Sequence, residues 1–151
     1  MQHVRRMTAE RSLRPESEQV RLPVERYLFL KRRWQGVAED GAEFEFDLEA
    51  RLKDGGVIHQ TEDADYVIVH QAEPVFRIPT PNGEMAALVG WKIGNLHFPI
   101  QIVDSFILVT PDPMVKTLLD RENWSYEEVS AVFQPLKLPP EAVVQTPPST
   151  P

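Results

Sequence analysis

The order of hydrophobic patterns between residues 73 and 136 constrains the fold of this chain more than any other feature of its sequence. A strand-like segment is followed by a helical segment, two further strand-like segments, a second helical segment and a closing strand-like segment. Asp104 and Ser105 leave room for only a hairpin turn between the two middle strands. This β-α-β-β-α-β order is that of the ferredoxin-like split motif. We therefore predict a ferredoxin-like domain over residues 73–136.

Both predicted helices have recognisable ends. Gly94 and Asn95 are predicted to end the first helix, because both residue types tolerate positive φ. Asp112 followed by Pro113 is predicted to begin the second helix, with the carboxylate as its cap. Apolar residues recur at helical spacing in both segments, and each set defines one buried face. The predicted faces comprise Met85, Leu88, Val89, Ile93 and Leu96 in the first helix, and Met114, Val115, Leu118 and Leu119 in the second.

Residues 20–72 carry short strand patterns and no helical period. The segment AEFEFDLE, residues 42–49, alternates apolar and acidic residues, which is the pattern of a half-buried strand. RYLFL at 26–30 and DYVIVH at 65–70 are also predicted to be strands, and Asp54-Gly55-Gly56 is predicted to form a turn. We predict a small all-β domain, a sandwich or barrel, followed by the ferredoxin-like domain. The chain is thus expected to be an α+β protein.

Both ends of the chain lack the apolar density of a packed domain. Residues 1–19 are polar and without periodicity, so a disordered N-terminal arm is predicted. Residues 137–151 are proline-rich and are predicted to be a disordered tail. No secretory signal is recognisable, and no segment approaches the roughly 20 apolar residues that cross a bilayer. We therefore expect a cytoplasmic protein that does not bind membranes.

Composition limits the chemistry that the chain can perform. An excess of 23 acidic over 16 basic residues gives a net charge of −7, which disfavours nucleic-acid binding. The sequence has no cysteine, and hence no thiolate nucleophile and no sulfur-rich metal site. No serine lies in a glycine-flanked nucleophile turn, and the seven glycines are scattered instead of forming a phosphate-binding loop. We expect a protein that is not an enzyme.

Histidine is the remaining candidate for chemistry, and the sequence contains four. His3 lies in the predicted arm, while His59 and His70 lie in or beside predicted strands, where a structural or solvated role is usual. His97 differs because it stands between the end of a helix and the start of a strand, in GWKIGNLHFPIQI. Neutral imidazole is a good ligand for nickel, copper and zinc. Taken alone, these observations leave open whether His97 packs against the fold or binds a metal.

The segment around His97 resembles a known family, the UreE-type urease accessory nickel chaperones. In the C-terminal half of that family, a Gly-Asn-x-His-x-Pro core ends the first helix and opens the next strand, and an aspartate precedes the second helix. The matching positions here are Trp91, Gly94, Asn95, His97, Pro99, Gln101 and Asp112. VFQPL at 132–136 matches the closing segment of the family in part, and the similarity spans roughly residues 20–136.

The resemblance implies a homodimer that binds Ni(II) and passes it to apo-urease in a complex with the urease accessory GTPase. It also implies that His97 of each subunit meets its copy between the C-terminal domains, and that the β-domain of residues 20–72 binds partner proteins. A two-fold interface would place two imidazoles on one ion and leave other coordination positions open for transfer. Cu(II) and Zn(II) are expected to compete, because copper outranks nickel in the general affinity order.

The sequence departs from the family in ways that limit the expected metal load. Its last residues, QTPPSTP, contain none of the histidines that many members carry there, and TPDP precedes the second helix where others have additional histidines. Lys92 and Leu96 occupy helix positions that often hold His and Arg. We predict a single interfacial site, with His3 and His70 as candidate additional ligands. A protein-interaction scaffold of the urease maturation complex, without metal binding of its own, is the alternative.

Overall fold

A computed structural model describes residues 1–136 of the chain. Its contacts divide the chain into two compact units, of which the first comprises Met1–Glu73 and the second begins at Pro74. The tail predicted at residues 137–151 lies outside the described residues. Within residues 1–136, neither α-helix has the length and apolar content that spanning a bilayer requires.

Two three-stranded sheets form the first unit. Its strands are β1 (Gln2–Val4), β2 (Gln19–Val24), β3 (Arg33–Val37), β4 (Glu43–Asp47), β5 (Val57–Gln60) and β6 (Asp65–His70). One sheet has the order β1-β4-β3, with β1 parallel and β3 antiparallel to β4. The other has the order β2-β6-β5, with β2 parallel and β5 antiparallel to β6. Each sheet therefore joins strands that are distant in sequence.

The alternating segment of β4 supplies the centre of this unit. Phe44, Phe46 and Leu48 are buried, whereas the acidic residues between them are half-buried or exposed, which confirms the predicted half-buried strand. The core cluster that contains them also includes Leu22 and Ile68 from the other sheet. The two sheets thus share one apolar core, and the prediction of a small all-β domain is confirmed.

The prediction of a disordered arm over residues 1–19 is wrong. Strand β1 pairs with β4, and Val4 is buried in the core cluster. Ser12 and Arg14 bind the buried carboxylate of Asp65, with Ser12 Oγ donating to Oδ2 at 2.7 Å and Arg14 Nε lying 3.2 Å from Oδ1. These contacts join residues about fifty positions apart. A search for periodicity within residues 1–19 could not reveal them.

The segment RYLFL forms a 3₁₀ helix, Arg26–Leu30, and the strand prediction there is wrong. Phe29 is buried in the core cluster, whereas Tyr27 and Leu30 are exposed by 52% and 69%. The Leu28 N–H donates to the Glu25 carbonyl at 2.9 Å, and the Lys31 N–H donates to the Leu28 carbonyl at 3.1 Å. A short apolar run fits a strand and a helical turn equally well by periodicity, and here the local backbone bonds form instead of a sheet ladder.

The second unit has the predicted β-α-β-β-α-β order. Its elements are β7 (Glu73–Pro79), α1 (Gly83–Gly94), β8 (Gln101–Val103), β9 (Phe106–Val109), α2 (Pro113–Arg121) and β10 (Glu127–Ala131). The sheet has the strand order β10-β7-β9-β8, with β9 antiparallel to both β7 and β8. Apolar residues of both helices and of β7 and β9 form one core cluster. The predicted ferredoxin-like domain is confirmed.

The predicted start of the second helix is correct, and the predicted apolar faces of both helices are largely correct. Asp112 caps α2 by accepting from the Met114 N–H at 2.8 Å, and Pro113 occupies its first turn. Val89 and Ile93 of α1 are fully buried, but Leu88 is 40% exposed and Met114 is 58% exposed, so the predicted faces were too wide. The core cluster of the second unit therefore buries only the central stripe of each helix.

Candidate metal-binding site

His97 lies in the turn that joins α1 to β8. The Asn95 N–H donates to the Trp91 carbonyl at 3.0 Å, and the His97 N–H donates to the Gly94 carbonyl at 2.9 Å. Helix α1 therefore ends at Gly94, as predicted. Positive φ, however, was expected at Gly94 or Asn95 and is found instead at His97, where φ is +65°. The left-handed residue in the turn after the helix is the histidine itself.

A histidine in the left-handed region is uncommon, although His is enriched there together with Asn and Asp. The conformation costs an L-residue roughly 1–2 kcal/mol because its Cβ approaches the following carbonyl oxygen. Leu96 and Phe98, on either side of His97, are half-buried and pack against the core cluster of the second unit. These two anchors fix the backbone of the turn and leave His97 exposed between them.

The residues that follow His97 are joined to the end of the described chain. The Gln101 side-chain Oε1 accepts from the Gln134 N–H at 2.9 Å, and the Ile100 carbonyl accepts from the Leu136 N–H at 2.8 Å. Phe133, which directly precedes Gln134, is 1% exposed and packs in a small cluster with Val75 and Leu108 of β7 and β9. Gln101 matches a position of the family motif, but the sequence alone does not predict this hydrogen bond.

Large apolar side chains are exposed on the elements that flank His97. Trp91, on the last turn of α1, is 63% exposed, while Ile102 and Val103 of β8 are 59% and 37% exposed. Strand β8 is also the edge of its sheet, where backbone groups lack a neighbouring strand on one side. Exposed apolar side chains next to an open edge are typical of surfaces that contact another protein.

Several charged groups of this unit are engaged in pairs. Lys92, in the last turn of α1, bonds Glu122 at the end of α2. On α2, hydrogen bonds from Lys116 and Tyr126 hold the pKa of the Asp120 carboxylate below its usual range, and the hydrogen bond to Asp120 raises the pKa of Lys116. Lys92 is therefore engaged in an ion pair within this unit.

The other three histidines belong to the first unit. The ring of His59 lies 5.9 Å from that of Phe44, and the ring of His70 stacks on Phe29 at 4.1 Å. His3 is exposed, and its Nδ1 lies 3.0 Å from Glu45 Oε2. Among residues 1–136, no three or more His, Cys, Asp or Glu side chains gather where they could hold a metal ion. His97 therefore offers one imidazole from the described part of each chain.

Comparison with known proteins identifies relatives of both parts of the chain. Residues 73–145 match the C-terminal domain of the UreE urease accessory protein. A urease accessory protein UreE of Chelativorans sp. (strain BNC1) is 29% identical over 107 residues, which are 70% of this chain and 68% of that protein. The UreE of Azorhizobium caulinodans is 29% identical over 126 residues, 82% of this chain and 61% of the relative.

A third relative, the UreE of Beijerinckia indica subsp. indica, is 27% identical over 97 residues, 63% of this chain and 56% of that protein. The matched regions thus span less than two thirds of the length of two of these three relatives. The match to the C-terminal domain includes the turn that carries His97.

Proposed function

Because the chain belongs to the UreE family of urease accessory proteins, we propose that it is a nickel-binding metallochaperone that delivers Ni(II) to apo-urease. The exposed imidazole of His97, held on a fixed turn, is the observation that carries the proposal. In this role the protein is not an enzyme, it acts in the cytoplasm, and it works in a complex with the urease accessory GTPase. Nickel is its cargo.

One imidazole holds a divalent ion weakly, so the proposal requires a second copy of the chain. In a two-fold dimer a residue near the axis lies next to its own copy, and two His97 side chains then share one ion. The exposed Trp91, Ile102 and Val103 support this arrangement, because they offer apolar surface beside the turn. We place the dimer contact on this face of the second unit.

An incomplete ligand set suits a carrier. Two imidazoles leave several coordination positions of Ni(II) for water or for ligands of the receiving protein, so the ion can be exchanged without first leaving a closed cage. Affinity alone does not select nickel, since Cu(II) binds the same ligands more tightly and Zn(II) competes. Specific delivery would then depend on docking to the urease maturation proteins.

Equilibrium dialysis against Ni(II) tests the proposal. We expect the wild-type protein to bind about one ion per two chains, as a shared two-fold site requires. His97→Ala should lose this binding, whereas His3→Ala should retain it, because His3 is also exposed but lies in the other unit. His70→Ala is the second control. Light scattering with and without nickel measures whether the dimer exists.

The outcomes separate the two candidate roles. Unchanged nickel binding by His97→Ala would refute the proposed site. A dimer that binds urease maturation proteins but no nickel would favour the alternative, a scaffold of the urease maturation complex without metal binding of its own. Loss of binding in His3→Ala or His70→Ala would add that residue to the ligand set.

A further inference from the structure

A short groove in the first unit carries positive charge on an otherwise acidic surface. Residues 29–32 form one wall and residues 48–51 the other, enclosing about 250 Å³. The Leu48 N–H donates to the Arg32 carbonyl at 3.0 Å, which fixes the distance between the walls. This volume is below the roughly 300–1,000 Å³ of typical small-molecule pockets, so a cofactor is a poor fit.

The charge of the groove opposes that of its surroundings. Residues 1–73 contain eleven Lys and Arg against fifteen Asp and Glu. Around the groove the balance reverses, since the charged side chains that line it, taken together with their ion-pair partners, comprise five cations and two carboxylates. These are Arg5, Lys31, Arg32, Arg33 and Arg51, with Asp47 and Glu49.

The two carboxylates do not neutralise these cations. Arg32 and Arg33 share a single oxygen of Asp47, each at 3.3 Å. Loss of hydration raises the pKa of Asp47, but the hydrogen bond from Arg33 and the charges of Arg33, Arg32 and Arg5 outweigh it and lower the pKa. Glu49 pairs with Arg5 at 3.6 Å. Arg51 has no acidic partner among the described residues.

The groove also has exposed apolar side chains. Leu30 lines it and is 69% exposed, and Tyr27 on the same 3₁₀ helix is 52% exposed. Lys31 Nζ lies 5.3 Å from the centre of the Tyr27 ring, which holds the ammonium group over the aromatic face. Because Phe29 is buried in the core cluster, the short helix is anchored and Leu30 stays on the surface.

We propose that this groove docks an acidic peptide segment of a partner protein, with one bulky apolar residue of that segment seated on Leu30. Charge complementarity brings the segment to Lys31, Arg32 and Arg51, and apolar contact fixes its position. A nucleic-acid duplex or an anionic bilayer would extend beyond the groove and meet the acidic remainder of the chain, which opposes binding. The proposal deepens the partner-binding part of the proposed function and does not depend on nickel.

Fluorescence anisotropy with labelled peptides tests this docking site on the full chain. The probe is a short peptide with a central Leu-Phe pair flanked by Asp and Glu. One control peptide replaces the acidic residues with Lys, and another replaces Leu-Phe with Gly-Gly. We expect the probe to bind and to weaken with added salt, the lysine peptide not to bind, and the glycine peptide to bind more weakly.

Variants of the chain locate the site. Lys31→Glu combined with Arg51→Glu should weaken probe binding about tenfold or more, and Leu30→Ser should also weaken it. Arg21→Glu is the matched control, because Arg21 is an exposed arginine of the same unit outside the groove, and it should bind the probe nearly as wild type does. Arg51→Gln provides a milder change, and circular dichroism checks that each variant folds.

Several outcomes would overturn the proposal. These are no binding of the probe by wild type, equal weakening by Arg21→Glu and by the groove variant, or tighter binding of duplex DNA or phosphatidylserine vesicles than of the probe. The groove variants should retain nickel binding, and His97→Ala should retain probe binding. Failure of the groove is therefore distinguishable from failure of the nickel site.

Discussion

The two units of this chain are specified by different kinds of sequence information. In the second unit, local signals are enough, because caps such as Asp112 and the helical spacing of Val89 and Ile93 mark each element where it forms. In the first unit, parallel pairs join β1 to β4 and β2 to β6 across about forty residues or more. Local patterns predict most of its strands but do not determine which strands pair.

The buried contact between the N-terminal segment and β6 is the strongest test of that difference. Asp65→Ala removes the buried acceptor of Ser12 and Gln60 and one of the two carboxylate partners of Arg14, which keeps its ion pair with Glu18. We expect the free energy of unfolding to fall by about 2–4 kcal/mol, since breaking a buried pair is costly. Urea unfolding measures it.

Asp63→Ala is the control for this variant, because Asp63 is exposed nearby and should change the free energy by less than about 0.5 kcal/mol. Equal stability of Asp65→Ala and Asp63→Ala would contradict the packing of residues 1–19 against the sheets.

Two adjacent glycines give a second test of the same packing. A Cβ at Gly56 would overlap Met7 Sδ, whereas one at Gly55 meets no atom but is strained by φ of +85°. Both alanine variants should lose about 1–2 kcal/mol, by displacement of Met7 in one case and by backbone strain in the other. A Met7→Ala background should reduce the cost of Gly56→Ala and leave that of Gly55→Ala unchanged, as measured by urea unfolding of the three single and two double variants.

The third test concerns the positive φ of His97, the feature of the second unit that local sequence does not predict. His97→Gly should be more stable than His97→Ala by about 1 kcal/mol, because glycine adopts positive φ without a Cβ penalty. Ala87→Gly, in the exposed middle of α1, should be less stable than wild type by about 1 kcal/mol. Glycine in place of alanine is therefore expected to stabilise the protein at position 97 and to destabilise it at position 87. Thermal unfolding of the variants measures both differences, and equal stability of His97→Gly and His97→Ala would contradict the assigned φ.

The smallest expected effect concerns a contact between the β3–β4 connection and β6. The Tyr66 hydroxyl donates to Asp40 Oδ2 at 2.5 Å, which lowers the pKa of Asp40 and raises that of Tyr66. A carboxylate with a depressed pKa adds stability above its usual range near pH 4 and loses it as the pH falls through the depressed value. Wild type should exceed Tyr66→Phe in urea midpoint at pH 7 by more than at acidic pH. A constant difference would assign the effect to packing.

Most of the architecture could be predicted from local pattern, and the exceptions share a physical cause. The half-buried strand around Phe44 and the start of α2 at Asp112 are determined by residues that are neighbours in the sequence. The order of residues 1–19 depends on Asp65, and the 3₁₀ helix at Arg26–Leu30 depends on the pocket that receives Phe29. Such contacts are set by tertiary structure, which overrides local propensity.

The candidate metal site likewise has one feature that the sequence predicts and one that it does not. His97 could be singled out because it stands at a helix end in a motif that resembles a family. Its positive φ could not be assigned, since Gly94 and Asn95 are the residue types that usually adopt it. The conformation at His97 follows from the half-buried Leu96 and Phe98 on either side, whose packing fixes both ends of the turn.

The bond from the Gln134 amide to the Gln101 side chain also provides a spectroscopic probe. That amide proton is held by a side chain four residues beyond His97, so its chemical shift and solvent-exchange rate depend on the placement of the turn. In a ¹⁵N-labelled sample, one cross-peak would therefore report any ligand that alters the turn, without modification of the histidine itself.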